Sequence, residues 1–131
     1  MTEVIFADRN TSDVATLNAV TDELNAALDT AESAIRSFKF NTPARVPLPG
    51  DDGALGWGRV AGDWSFIYVR PHGEEIPLDE ASRAVRIAAT HVLPELVDAL
   101  RQAVADQIAE SRRAVTRTRE FIDMLQPKVD S

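Results

Sequence analysis

The sequence predicts an α+β fold dominated by helix, in which two long amphipathic helices, the second kinked or split near Pro94, flank one antiparallel β-hairpin. Three observations carry that prediction. Apolar residues recur at alternating spacings of three and four over 14–38, and again over 85–125 with one interruption between Leu96 and Ile108. Between them, residues 54–70 are rich in aromatic and β-branched side chains around a glycine turn. The length of 131 residues suits one ordinary domain, so the expectation is a single unit over 1–131.

The first helix is expected over 12–38, entered through Asn10, Thr11 or Ser12, any of which can cap the free N–H groups of a first turn. Val14, Leu17, Thr21, Leu24, Leu28, Ala31, Ile35 and Phe38 form its stripe, near heptad in form, with Thr21 the one polar member. Residues 41–53 hold Pro43, Pro47, Pro49, Gly50 and Gly53 and read as a surface connection, a plain linker or an ordered binding loop.

The hairpin is placed over 54–70, with strands Leu55–Val60 and Trp64–Val69 and a two-residue Gly62-Asp63 turn. In that register Leu55, Trp57, Trp64, Phe66 and Tyr68 share one face. The opposite face carries Gly56 and Gly58 beside Val60, Ser65, Ile67 and Val69, and its glycines would admit another element close to the backbone. A lone hairpin is marginal in water, so helices must cover at least one face.

Asp79 is the expected cap of the next helix, entered through Pro77 and Leu78. The stripe runs Val85, Ala89, Val92, Leu96, Leu100, Val104, Ile108, Ser111, Val115, Thr118, Ile122 and Leu125, with an extra four-residue step before Ile108. As one piece this helix would reach roughly 70 Å at 1.5 Å per residue, too long for a compact domain of this size. Pro94 resolves the difficulty by displacing Leu93 from helical geometry and removing the donor that Thr90 would use. The expectation is a helix over 80–92 folded on the hairpin, a projecting association helix over 94–125, and frayed residues at 126–131.

Composition narrows the function classes. The net charge of −7 argues against general binding to nucleic acid or an anionic membrane. Absence of cysteine excludes disulfides, thiolate nucleophiles and thiolate metal sites. No apolar run approaches a membrane span, and MTEVIFADRN has neither a basic start nor a signal-peptide core, so the chain is expected in the cytoplasm. Charge is uneven: 13–32 carries Asp13, Asp22, Glu23, Asp29 and Glu32 without a base, while 112–119 carries Arg112, Arg113, Arg117 and Arg119 without an acid. That asymmetry suits helix pairing.

Motifs that carry chemistry are thin. His72, beside Glu74 and Glu75, offers a metal or proton site only if further ligands converge, and His91 lies four residues from Glu95. No serine lies in a nucleophile elbow, and the glycines of 50–58 lack the lysine of a phosphate loop. No cofactor or metal is therefore expected, and enzymatic activity is not indicated. The expected function is a protein-interaction or assembly module, self-associating through its long helices and open to another protein partner. Its interface candidates are Trp57, Trp64, Phe66, Tyr68, Leu100, Val104, Ile108, Val115, Arg112, Arg113 and Arg117. The alternatives are an acidic inhibitor of a nucleic-acid-processing or defence protein, and a ligand-binding domain or enzyme with a pocket among Trp57, Arg59, Tyr68 and His91.

Overall fold

The computed structural model describes the backbone of residues 2–126 and the side chains of 12–126, so the fraying expected beyond Gln126 falls outside the described residues. The chain runs α1 (Thr2–Ser37), β1 (Ala44–Pro47), β2 (Ala54–Val60), β3 (Asp63–Val69), β4 (Glu75–Pro77), a 3₁₀ turn at Leu78–Glu80, α2 (Arg83–His91) and α3 (Leu93–Leu125). The strands form one antiparallel sheet in the order β1-β2-β3-β4.

Helix α1 begins well before the expected start at 12, and residues 10–12 lie inside it rather than capping it. No glycine or proline interrupts residues 2–36, so nothing in the sequence stops the helix there. It ends at Ser37, where Lys39 turns into the left-handed region at φ 57° and Phe38 and Lys39 donate to the carbonyls of Ile35 and Arg36.

The predicted hairpin is the centre of a four-stranded sheet. Its outer strands were hidden by proline: β1 lies within the stretch read as a connection and ends at Pro47, and the three-residue β4 ends at Pro77. Both occupy sheet edges, where a missing N–H breaks no central ladder bond. Val60 pairs with Asp63, so the turn is Ala61-Gly62 rather than Gly62-Asp63, with φ of 52° and 92° as in a type I′ turn. The register therefore differs by two residues from the expected one. Side chains alternate with period two, so the same residues still share a face.

That face is the core. Val46, Leu55, Trp57 and Phe66 are buried against Leu28 and Ile35 of α1, Val85 and Ala89 of α2, and Leu96 and Leu100 of α3. All three helices thus cover one side of the sheet rather than flanking it. On the other side Ile67 folds across the glycines of β2: a β-carbon would lie 2.8 Å from its Cγ1 at Gly56 and 3.0 Å from its Cδ1 at Gly58. The close approach that the glycines permit is made by a neighbouring strand's own side chain. Arg45 and Glu75 meet at 3.4 Å from the two outer strands.

Ser82, not Asp79, caps α2 by accepting the Val85 N–H, while Asp79 sits in the preceding 3₁₀ turn. The break near Pro94 falls at Val92, with φ −115° and ψ 11°. Leu93 is already helical and Pro94 occupies the first turn of α3. A proline there has no intrahelical N–H bond to lose and its fixed φ suits the helix, so the distortion is displaced upstream. Leu96 and Leu100 are both 0% exposed. The boundary between packing and projection therefore lies inside α3, near Val104, and not at Pro94.

Two substitutions test this account of the sheet. Ala61 in the left-handed region costs about 1 kcal/mol, so Ala61→Asn should raise the thermal transition by a few degrees. Gly56→Ala should lower stability by about 1–3 kcal/mol through overpacking against Ile67, measured by denaturant unfolding.

Candidate interaction surface

Trp57 is buried, packs edge-to-face on Phe66 with ring centres 5.5 Å apart, and donates its indole N–H to the Phe40 carbonyl at 2.9 Å. Phe66 is buried with it. Trp64 is half-buried beneath the Arg59 guanidinium, 5.7 Å from the ring centre, and its carbonyl accepts from Arg36 Nε and Nη2 at 3.0 and 2.9 Å. Tyr68 donates its hydroxyl to Asp51 Oδ1 at 3.0 Å, and the same oxygen accepts the Gly53 N–H at 2.6 Å. The hairpin aromatics thus anchor α1, the chain before β1 and the loop before β2 to the sheet.

Exposure is concentrated elsewhere. Every side chain over 12–20 and over 105–126 is exposed. Apart from Phe38 and Ile87, the exposed large hydrophobic residues of the described chain all lie in these two stretches: Val14, Leu17 and Val20 on α1, and Ile108, Val115, Phe121, Ile122, Met124 and Leu125 on α3. Among the interface candidates, Leu100 is buried in the core and Val104 is half-buried at the boundary, whereas Ile108 and Val115 stand free. The last side-chain tether near that boundary is Gln107, which donates to the buried Thr42 hydroxyl at 3.2 Å.

On α3, positions 104, 108, 111, 115, 118, 122 and 125 repeat at four and three over three heptads. Arg112 and Arg119, seven residues apart, flank the stripe and with Val104, Ile108, Ser111 and Val115 line a shallow groove along the helix. Arg113 and Arg117 fall on the outer face of the helix, away from the stripe, by helical rotation. Among the described residues, none of these four arginines makes an ion pair, and no ion pair joins α1 to α3. The charge asymmetry is therefore not spent on pairing these two helices among the described residues.

A polar cleft between α1, β3, the 3₁₀ turn and α2 was not legible in the sequence. Arg86 donates through Nη1 to Asn25 Oδ1, while its buried Nε has no partner among the described residues. Glu32 and Asp79 also line the cleft, and burial holds the Glu32 carboxyl above its ordinary pKa against the pull of Ser65 and Arg36. Asn25 and Arg86 are 61 residues apart, and neither belongs to an apolar pattern.

Trp57 and Arg59 share a cleft with Trp64 and Ile67, whereas Tyr68 engages Asp51 and His91 is exposed at the end of α2. His72 faces Glu74 at 3.3 Å in a solvated cluster with Arg70. Among the described residues no group of three or more His, Cys, Asp or Glu side chains is arranged to hold a metal ion. No helix among them is long and apolar enough to cross a membrane. Comparisons with family models, curated proteins and solved structures find no match.

The Tyr68–Asp51 contact is open to direct measurement because Tyr68 is the chain's one tyrosine. Partial burial, then the hydrogen bond and charge of Asp51, raise the phenol above its ordinary pKa. Its stabilising contribution is complete below the ordinary tyrosine range and is lost as pH rises through the folded value. Tyrosinate absorbance should titrate above the free phenol, and Asp51→Asn should move the midpoint down.

Proposed function

We propose that this chain is a non-enzymatic interaction module that assembles with copies of itself through its overhanging helices. The observation that carries this reading is the α3 stripe from Ile108 to Leu125, a heptad pattern broken only by Ser111 and Thr118 that no element covers among the described residues. Most helical stability in proteins comes from packing an apolar face. Each Ile, Val, Leu or Phe removed from water contributes roughly 1.5–3 kcal/mol, so a partner on this stripe has a large driving force. The surface area agrees. The chain exposes 9558 Å², against roughly 6,800 Å² for a compact monomer of its mass. The excess is more than the roughly 800 Å² per partner that a standard interface buries.

A second reading, the acidic inhibitor of a basic nucleic-acid-processing partner, draws on the exposed carboxylates of Asp13, Asp22, Glu23 and Asp29, which make no ion pair among the described residues. Such binding is screened by salt. A partner retained unchanged at high salt would count against it.

Light scattering and sedimentation at micromolar concentration decide the first reading. The expected outcome is a concentration-dependent oligomer. Ile108→Ser with Val115→Ser should weaken association tenfold or more, about 1.4 kcal/mol, and leave the unfolding of the sheet core in place. A chain that stays monomeric throughout this range defeats the reading.

A further inference from the structure

Resting on that reading, we infer that the occupant of the α3 groove is the acidic N-terminal half of α1 from a second copy of this chain, paired reciprocally, and not a second α3. Electrostatics across a helical seam make the choice. Taking Ile108, Val115 and Ile122 as the β-branched a positions of the heptad, Val104, Ser111, Thr118 and Leu125 fall at d, and Arg112 and Arg119 fall at e. The facing g positions are Gln107, Ala114 and Phe121, which offer no carboxylate. Two α3 helices in parallel would leave both arginines without a counter-charge, and in antiparallel orientation e positions face each other, so arginine meets arginine. Like charges so placed are destabilising.

The α1 overhang supplies what α3 lacks. Its exposed Val14 and Leu17 continue the stripe that the partly buried Leu24 and the buried Leu28 and Ile35 form lower down the same helix, and Val20 widens it. Asp13 precedes the first apolar position at a g site beside the seam, Asp22 and Glu23 lie further round the helix at b and c, and no base occurs anywhere over 12–32. Within one chain the two overhangs do not meet: α1 packs chiefly on β3 and α2, α3 chiefly on β1 and β2, and no ion pair connects them among the described residues. Each chain thus presents two exposed apolar stripes, one flanked by Asp13 on a segment without bases and one flanked by Arg112 and Arg119. Exchanging them between two copies covers both stripes and sets an acid-bearing segment beside the arginines, an arrangement in which α1 meets the partner's α3 twice by symmetry.

The test is a charge exchange in the full chain. Arg112→Glu with Arg119→Glu forms one variant; Asp13→Lys, Asp22→Lys and Glu23→Lys form the other. All five positions are exposed, and circular dichroism checks that each variant retains the fold. Each variant alone should associate about tenfold or more weakly than the wild type, and an equimolar mixture should form a mixed oligomer of wild-type affinity, read by light scattering. Wild-type association should also weaken as salt rises. If the wild type assembles but the mixture gives no rescue, or the α1 reversal has no effect, the α1–α3 pairing is overturned while self-association stands. A wild type monomeric at every concentration overturns both.

Discussion

The structure is governed by a mismatch of lengths on a sheet with only one bulky face. Seven-residue strands span about 23 Å at 3.3 Å per residue, while α1 and α3 run about 54 and 50 Å at 1.5 Å per residue. Leu55, Trp57 and Phe66 provide the surface on which all three helices must lie, because Gly56 and Gly58 on the reverse are already filled by Ile67. Helices longer than their platform must run past it. The free stripes, the unspent charges and the large exposed surface all descend from that geometry.

Polar contacts fix how the helices sit on this platform. Arg36 ties the end of α1 to the start of β3 through the Trp64 carbonyl, and its Nη2 also meets Glu32 at 2.8 Å. Arg86 ties α2 to α1 through Asn25, and Gln107 ties α3 to Thr42 ahead of β1. Each joins segments distant in sequence. The Arg86–Asn25 and Gln107–Thr42 contacts lie near the points where the core stops and the overhangs begin.

The helices and the central hairpin were legible because their patterns are long and periodic, and the hairpin faces survived an error of two residues because alternation repeats every two. The edge strands were not legible. Ala44–Pro47 and Glu75–Pro77 are short and end in proline, a residue that signals turn or linker when no neighbouring strand is in view. Asp79 looks like the cap in sequence because Asp and Ser accept the same bond, and the 3₁₀ turn that takes Asp79 out of position depends on tertiary contacts of Leu78. At the candidate surface, Ile108, Val115 and the arginines were visible as a stripe with flanks, but periodicity alone does not say where along a helix the core ends. That is why Leu100 and Ile108 looked alike in sequence and differ completely in exposure.

The continuity of α3 through the core has a kinetic consequence. The slow part of making a helix is its first turn, which orders several residues for a single backbone bond; each later residue adds quickly to an existing end. Leu93 to Leu100 are held in helical form by the sheet, so the segment beyond Gln107 grows from a template and carries no nucleation cost of its own. Ordering therefore runs outward from the body and unzips inward from the tip. A partner docking there would meet a segment already close to its bound conformation, which would keep the entropy lost on association small.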